Sequence, residues 1–202
     1  MKVGVLCEFS GTVRDAFIER GHDAVSCDIL PTESPGPHFQ KDCLDVDWKG
    51  FDLLICHPPC TYLANSGVSW LNRQKGRWAK MEEAAEFFVR LMMLPVEHIA
   101  IENPIMHRYG IEIVGRRPEQ YVQPWEHGHG ETKATGLWLK NLPPLKPTDI
   151  VEGREGRILA LGPAPDRWKK RSLTYPGIAK AMADQWPRHI EEFHKETLFE
   201  LH

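Results

Sequence analysis

The residue pattern best suited to chemistry is a thiol behind two prolines. Pro58 and Pro59 stiffen the backbone directly before Cys60, and the apolar run FDLLIC at residues 51–56 ends just ahead of them. A nucleophilic cysteine needs a fixed position and a stabilised thiolate; a buried, inert cysteine is the plainer alternative. A carboxyl group sits in an equivalent place. Glu102, in Glu102-Asn103-Pro104, follows the apolar run HIAI at residues 98–101. Desolvation at a strand end would raise its pKa and let it donate a proton; capping the next turn is the alternative. A third pattern, Phe9-Ser10-Gly11, lies between the apolar residues 3–6 and a helix starting near Thr12. Small residues there let a ligand approach the backbone, and the helix end offers unpaired N–H groups. Asp28 ends the next apolar run and is placed to bond ribose hydroxyls. These three residues and Asp28 suit an adenosine-bearing ligand, or form a plain tight turn. The G-x-G-x-x-G fingerprint and the P-loop pattern are both missing from the sequence.

The elements that must position these groups follow from hydrophobic periodicity. Residues 3–6, 24–27, 51–56 and 98–101 read as buried strands, with a short strand near residues 38–41 and a later one at 137–139. Val13, Ala16, Phe17 and Arg20 fall on helical spacing, with Thr12 as cap, Asp15 three residues on and Gly21 as stop. Trp78, Met81, Ala85, Phe88 and Met92 mark an amphipathic helix ended by Pro95, and a last helix covers about residues 178–185. Residues 61–76 read as a long loop, and 141–168 as mostly irregular. Strands alternating with helices predict an α/β fold with a doubly wound, mostly parallel sheet. In such a sheet, ligands bind at the carboxyl ends of the strands. The Phe9 turn, Asp28, Cys60 and Glu102 all follow strands and therefore gather on one edge.

With 202 residues, 42% of them hydrophobic, the chain is expected to form one domain. No apolar run reaches the ~20 residues that span a bilayer, and residues 1–11 do not read as a signal peptide. Five cysteines, odd in number, suggest free thiols in a reducing compartment, so a cytoplasmic protein is expected. Cys56, His57 and Cys60 lack a second ligand pair at zinc spacing, and no metal is expected. The net charge of −3 argues against coating nucleic acid through bulk charge. Arg154, Arg157, Arg167, Lys169, Lys170 and Arg171 nevertheless cluster around Trp168, which suits a phosphate backbone or a stacked base, or else a solvated loop. His127 and His129 in His127-Gly128-His129-Gly130 are read mainly as loop residues. Tyr62, Asn65 and Ser66 either touch substrate or shape the loop after the thiol.

Taken in order, these motifs resemble the DNA cytosine-5 methyltransferase family, as a small phage-type member without a target recognition domain. The resemblance rests on Phe9 and Gly11, Asp28, Asp42 in Lys41-Asp42-Cys43, Pro58-Pro59-Cys60, Glu102-Asn103, and Tyr175-Pro176-Gly177-Ile178-Ala179 before the last helix. It departs from the family at Val13, where a second glycine is usual, and at Glu131-Thr132-Lys133-Ala134-Thr135, where an arginine motif is usual. The short stretch from Leu139 to Tyr175 leaves no room for a recognition domain. The resemblance implies a Rossmann-like methyltransferase fold over residues 1–186, with a helical tail at 187–202. It implies S-adenosyl-L-methionine held by Phe9, Ser10, Gly11, Asp28, Asp42, Pro58 and Gly177. It implies that Cys60 adds to C6 of a cytosine while protonated Glu102 bonds N3, with Asn103, Lys133, Lys169 and Arg171 near the substrate. The implied partner is DNA, duplex or single-stranded, in a bacterial or phage-infected cell. A free pyrimidine nucleotide and a non-catalytic binding role on the same fold are the other readings.

Overall fold

Strand β4 (Leu53–Cys56) is apolar and buried at every position. A strand takes that composition when both faces of its sheet are covered. In the computed structural model, which describes residues 1–160, 162, 164 and 167–200 (without the side chains of 158, 159, 168 and 196–200), β4 lies at the centre of seven strands. It pairs in parallel with β1 (Lys2–Leu6) and β5 (His98–Pro104). Beyond β1 lie β2 (Asp23–Asp28) and β3 (His38–Gln40), also parallel. Beyond β5 lie β7 (Thr135–Lys140) and then β6 (Gln120–Val122), with β7 antiparallel to both neighbours. The order β3-β2-β1-β4-β5-β7-β6 is a single Rossmann-like, doubly wound, mostly parallel α/β sheet, as the sequence leads one to expect.

Alternation along the strands divides the core into two layers. Leu53 and Ile55 face α1 (Thr12–Ile18) and α6 (Pro176–Glu200), together with Val3, Val5, Phe17, Met182 and Trp186. Leu54 and Cys56 face the other layer, built on α2 (Arg77–Met92) and joined by α3 (Arg108–Val114); Met81, Phe88, Leu91 and Trp138 fill it. Gly4 is glycine for contact reasons: a Cβ there would stand 2.7 Å from the Trp48 ring. Two short helices, α4 (Arg157–Ala160) and α5 (Arg167–Ser172), precede α6.

Several boundaries differ from the sequence reading. Helix α6 does not stop near residue 185 but continues through Pro187, because Trp186 and Ile190 are buried on its core side. That packing outweighs the hydrogen bond that proline removes. The expected division between residues 186 and 187 therefore falls inside one helix. Strand β5 runs on through Glu102 and Asn103, held by its pairing with β7. Helix α1 is not capped by Thr12; Gly11 is its N-cap in the left-handed conformation (φ 77°), and a buried glutamate further back serves its amides. Short elements α3 and β6 were not legible as such, and residues 65–70 form 3-10 turns within the long loop. Among the described residues, no helix is long and apolar enough to cross a membrane.

Candidate functional site

The strand order turns around between β1 and β4, so the chain leaves their carboxyl ends in opposite directions and opens a crevice there. A cavity of about 760 Å³ fills it. Residues from the ends of β1, β2, β3 and β4 line it, including Cys7, Phe9, Asp28, Asp42, His57 and Cys60. Basic residues Arg77, Arg167 and Arg171 close it from α2 and α5.

One end of the cavity combines apolar side chains with two carboxylates. Phe9 is buried at its wall, and Ile29 and Leu30 add apolar surface. Asp28 accepts a hydrogen bond from the Leu30 N–H (2.9 Å), and burial lifts its carboxyl above the usual range. Asp42 caps the turn Cys43–Asp45 by accepting from Leu44 N–H (2.9 Å). The turn after β1 is tied down by Glu8, whose carboxylate accepts from the N–H groups of Val13 (2.6 Å) and Arg14 (3.2 Å). Ser10 Oγ accepts from Thr12 N–H (3.2 Å). Val13 itself is fully buried in the core, so its side chain takes no space from the cavity.

The other end holds Cys60 and His57. Cys60 is half-buried three residues beyond His57 and faces the cavity. Burial pushes its thiol pKa up, while the charges of Arg171 and Lys133 pull it down and Glu102 pushes it up. Register brings His57 beside Glu102: Cys56 pairs with Ile101, so the next residue of each strand meets its counterpart. His57 Nδ1 lies 3.1 Å from Glu102 Oε2, and Thr174 Oγ1 donates to the same oxygen at 3.1 Å. Burial alone would lift Glu102, but His57, Lys133 and Thr174 outweigh it, and its pKa lies below the usual carboxylate range. This corrects the expected protonated Glu102: the charged partner on the neighbouring strand stabilises the carboxylate more than burial destabilises it. For His57, burial opposes the charge, yet Glu102 and then Glu8 prevail and raise its pKa. The other ring nitrogen, Nε2, is buried with no hydrogen-bond partner among the described residues.

The remaining residues read from the sequence lie in distinct places. Phe9, Asp28, Asp42, Cys60 and Arg171 share the cavity wall. Asn103 is buried, and its Nδ2 donates to the Pro58 carbonyl (3.1 Å), so these two residues clamp the thiol loop from behind. Lys133 donates to the Leu173 carbonyl (2.9 Å) and is close enough to Glu102 and Cys60 for their charges to act on it. Lys169 pairs with Glu33 and lies over the Phe9 ring (5.6 Å), fastening α5 across the cavity. Gly177 packs on the histidine loop: its N–H donates to His129 Nε2 (3.0 Å), and a Cβ would stand 1.8 Å from the His127 carbonyl oxygen. Ser10 and Gly11 shape the turn behind Phe9. The side chain of Trp168, within the basic run, lies outside the described residues.

The sequence reading missed several participants. In the sequence His57 stands out only within the incomplete zinc pattern, although a histidine directly after a buried strand is itself a signal. Arg14 is fully buried and donates to Ser26 Oγ (3.1 Å), the Ser34 carbonyl (3.0 Å) and Asp15 Oδ1 (2.8 Å), which shapes the loop through residues 32–37. Arg77 stacks on Tyr62 (5.0 Å) and donates to the Thr61 carbonyl (3.0 Å), fixing the segment after the thiol. Nothing in their spacing marks Arg14 or Arg77 as functional.

Solved structures with a similar arrangement include three methyltransferases. The Entamoeba histolytica methyltransferase EhMeth matches 77% of this chain and 57% of its own at 18% identity, with a TM-score of 0.50. An Escherichia coli prophage protein described as a DNA modification methyltransferase matches 81% and 55% at 13% identity, with a TM-score of 0.48. An Escherichia coli rRNA methylase matches 69% and 56% at 16% identity, with a TM-score of 0.38. The chain thus spans little more than half the length of each. No family model matches the chain, and no curated protein matches it. The likeness to the Entamoeba protein is one of fold: the two share a Rossmann-like α/β arrangement.

Proposed function

We propose that this protein transfers a methyl group from S-adenosyl-L-methionine to C5 of a cytosine in DNA, through a covalent adduct on Cys60. The observation that carries the reading is the convergence of Cys60, the His57–Glu102 pair and a crevice lined by Phe9, Ile29, Leu30 and Asp28 on one sheet edge. The residues present fit the cofactor: Phe9, Ile29 and Leu30 supply apolar surface for an adenine, Asp28 a carboxylate for ribose hydroxyls, and Asp42 a second acceptor. When bound, the cofactor supplies a methyl group on a sulfonium.

The protein's own groups then act on the pyrimidine. The sulfur of Cys60 forms a bond to C6, and the C5–C6 double bond opens towards C5. Arg171 and Lys133 favour the thiolate that this step needs. Protonated His57, which lines the cavity together with Cys60, offers positive charge to the pyrimidine as charge develops on its N3–O2 edge. Glu102 holds that imidazolium in place and is the positioning partner. After C5 has been methylated its proton passes to solvent, and the C6–sulfur bond breaks as the double bond re-forms.

A duplex substrate requires base flipping, which costs a few kcal/mol; single-stranded DNA avoids it. The arginines at 77, 167 and 171 line one cavity, and this observation favours a free pyrimidine nucleotide as the second reading. Labelled S-adenosylmethionine incubated separately with duplex DNA, single-stranded DNA, RNA and dCMP distinguishes these. Transfer is expected to one of the DNA forms and to vanish in Cys60→Ala. Label transfer that persists in Cys60→Ala removes the thiol mechanism, and transfer to dCMP alone selects the nucleotide.

A further inference from the structure

At the opposite end of the sheet, where β5 begins, a second group of chemistry-bearing side chains comes together. Glu97, His98 and His194 each place one potential ligand atom so that all three lie within 4.8 Å of one another. His98 opens β5 and is 1% exposed; Glu97 precedes it, and His194 comes from the distal half of α6.

Asn141, in the left-handed conformation (φ 53°) just after β7, organises the first two. Its carbonyl lies 2.7 Å from His98 Nδ1, and its Nδ2 donates to the Glu97 carbonyl at 3.1 Å. A carbonyl only accepts, so Nδ1 carries the ring proton and Nε2 of the neutral ring is a bare lone pair. That atom is buried with no hydrogen-bond partner among the described residues. A buried lone pair without a donor is costly and needs an explanation. Phe193 and His194 pack edge-on against the same ring, at 5.2 and 6.0 Å between centroids.

We propose that Glu97, His98 and His194 bind a divalent transition-metal ion, zinc being the ion that this donor set suits. Two imidazoles and a carboxylate make a three-ligand set that leaves a fourth tetrahedral position to water. A ring nitrogen bonded to a backbone carbonyl is the usual support for a ligating histidine, fixing its tautomer and orientation. The ion ties the distal half of α6 to the start of β5. It is remote from the cavity, which lies at the other end of the strands, so this inference does not depend on the methyl-transfer reading.

Metal-free protein is titrated with zinc in competition with a chromophoric chelator, and separately with cobalt under optical absorption. The expected result is one equivalent bound, with Glu97→Gln and His194→Ala each weakening binding at least about ten-fold. Both positions are exposed, so the variants are expected to fold, and their metal-free melting temperatures should match that of the parent. Zinc should raise the melting temperature of the parent and leave that of His194→Ala unmoved. The absence of stoichiometric binding overturns the proposal, as does unchanged affinity in both variants. A thiolate charge-transfer band with cobalt also overturns it, because the metal would then sit on cysteine.

Discussion

His57 Nδ1 stands 3.1 Å from Glu102 Oε2 across the parallel pair β4–β5, and each side chain is 11% exposed. The pair lies at the end of the cavity that His57 and Cys60 line. Its effect on stability has a defined pH window. Glu102 is depressed in the folded protein, so its contribution is complete above its ordinary value of 4.5 and is lost as pH falls through the folded value. His57 is raised, so its contribution is complete below 6.5 and is lost as pH rises through the folded value. Glu102→Gln should therefore cost most between these values, about 3 kcal/mol, and less on either side. Urea unfolding of parent and variant across pH checks this. A difference that is flat with pH removes the pair as the cause.

Arg171 is the largest charge favouring the Cys60 thiolate. Replacing it with glutamine should slow alkylation of Cys60 by iodoacetamide several-fold at pH 8, because less of the thiol is ionised. Peptide mass spectrometry reads the rate at this one residue, with the other four thiols as internal comparison. Equal rates in parent and variant would mean that Arg171 does not act on the sulfur.

Arg14 holds the loop through residues 32–37 from inside the protein. Arg14→Met keeps much of the volume but leaves Asp15 and the Ser34 carbonyl without their guanidinium partner. The expected cost is about 3 kcal/mol, measured as a lower denaturation midpoint. A midpoint within experimental error of the parent would show that water replaces the guanidinium without loss.

Asp28 lines the crevice and accepts a local hydrogen bond from Leu30 N–H. Asp28→Ala should weaken S-adenosylhomocysteine binding at least about ten-fold, which is about 1.4 kcal/mol, while the melting temperature changes little. Calorimetry on both proteins decides it. Undiminished affinity would move the nucleoside away from the end of β2.

How much of this was readable beforehand depended on the kind of signal. Runs such as FDLLIC are apolar at consecutive positions because both faces are covered, and that marks a central strand without any knowledge of its neighbours. The gathering of Phe9, Asp28 and Cys60 on one edge followed from the strand–helix alternation alone. The charge state of Glu102 did not. It depends on His57 standing directly opposite, a matter of register between two strands over forty residues apart in sequence. Asn103 was read as touching substrate, whereas its amide is turned back onto Pro58. The true length of α6 was hidden by Pro187, since the burial of Trp186 and Ile190 depends on the packed molecule and not on local propensity.

The carboxylate of Glu8 occupies the head of α1, bonded to the amides of Val13 and Arg14. In dinucleotide-binding sheets those amides are left bare, and a pyrophosphate sits on them. Here the seat is already filled by an acid that the chain supplies itself. A diphosphate arriving at this point would find the amides of Val13 and Arg14 already bonded. One residue in the first turn thus takes up the amides on which a dinucleotide would rest its pyrophosphate.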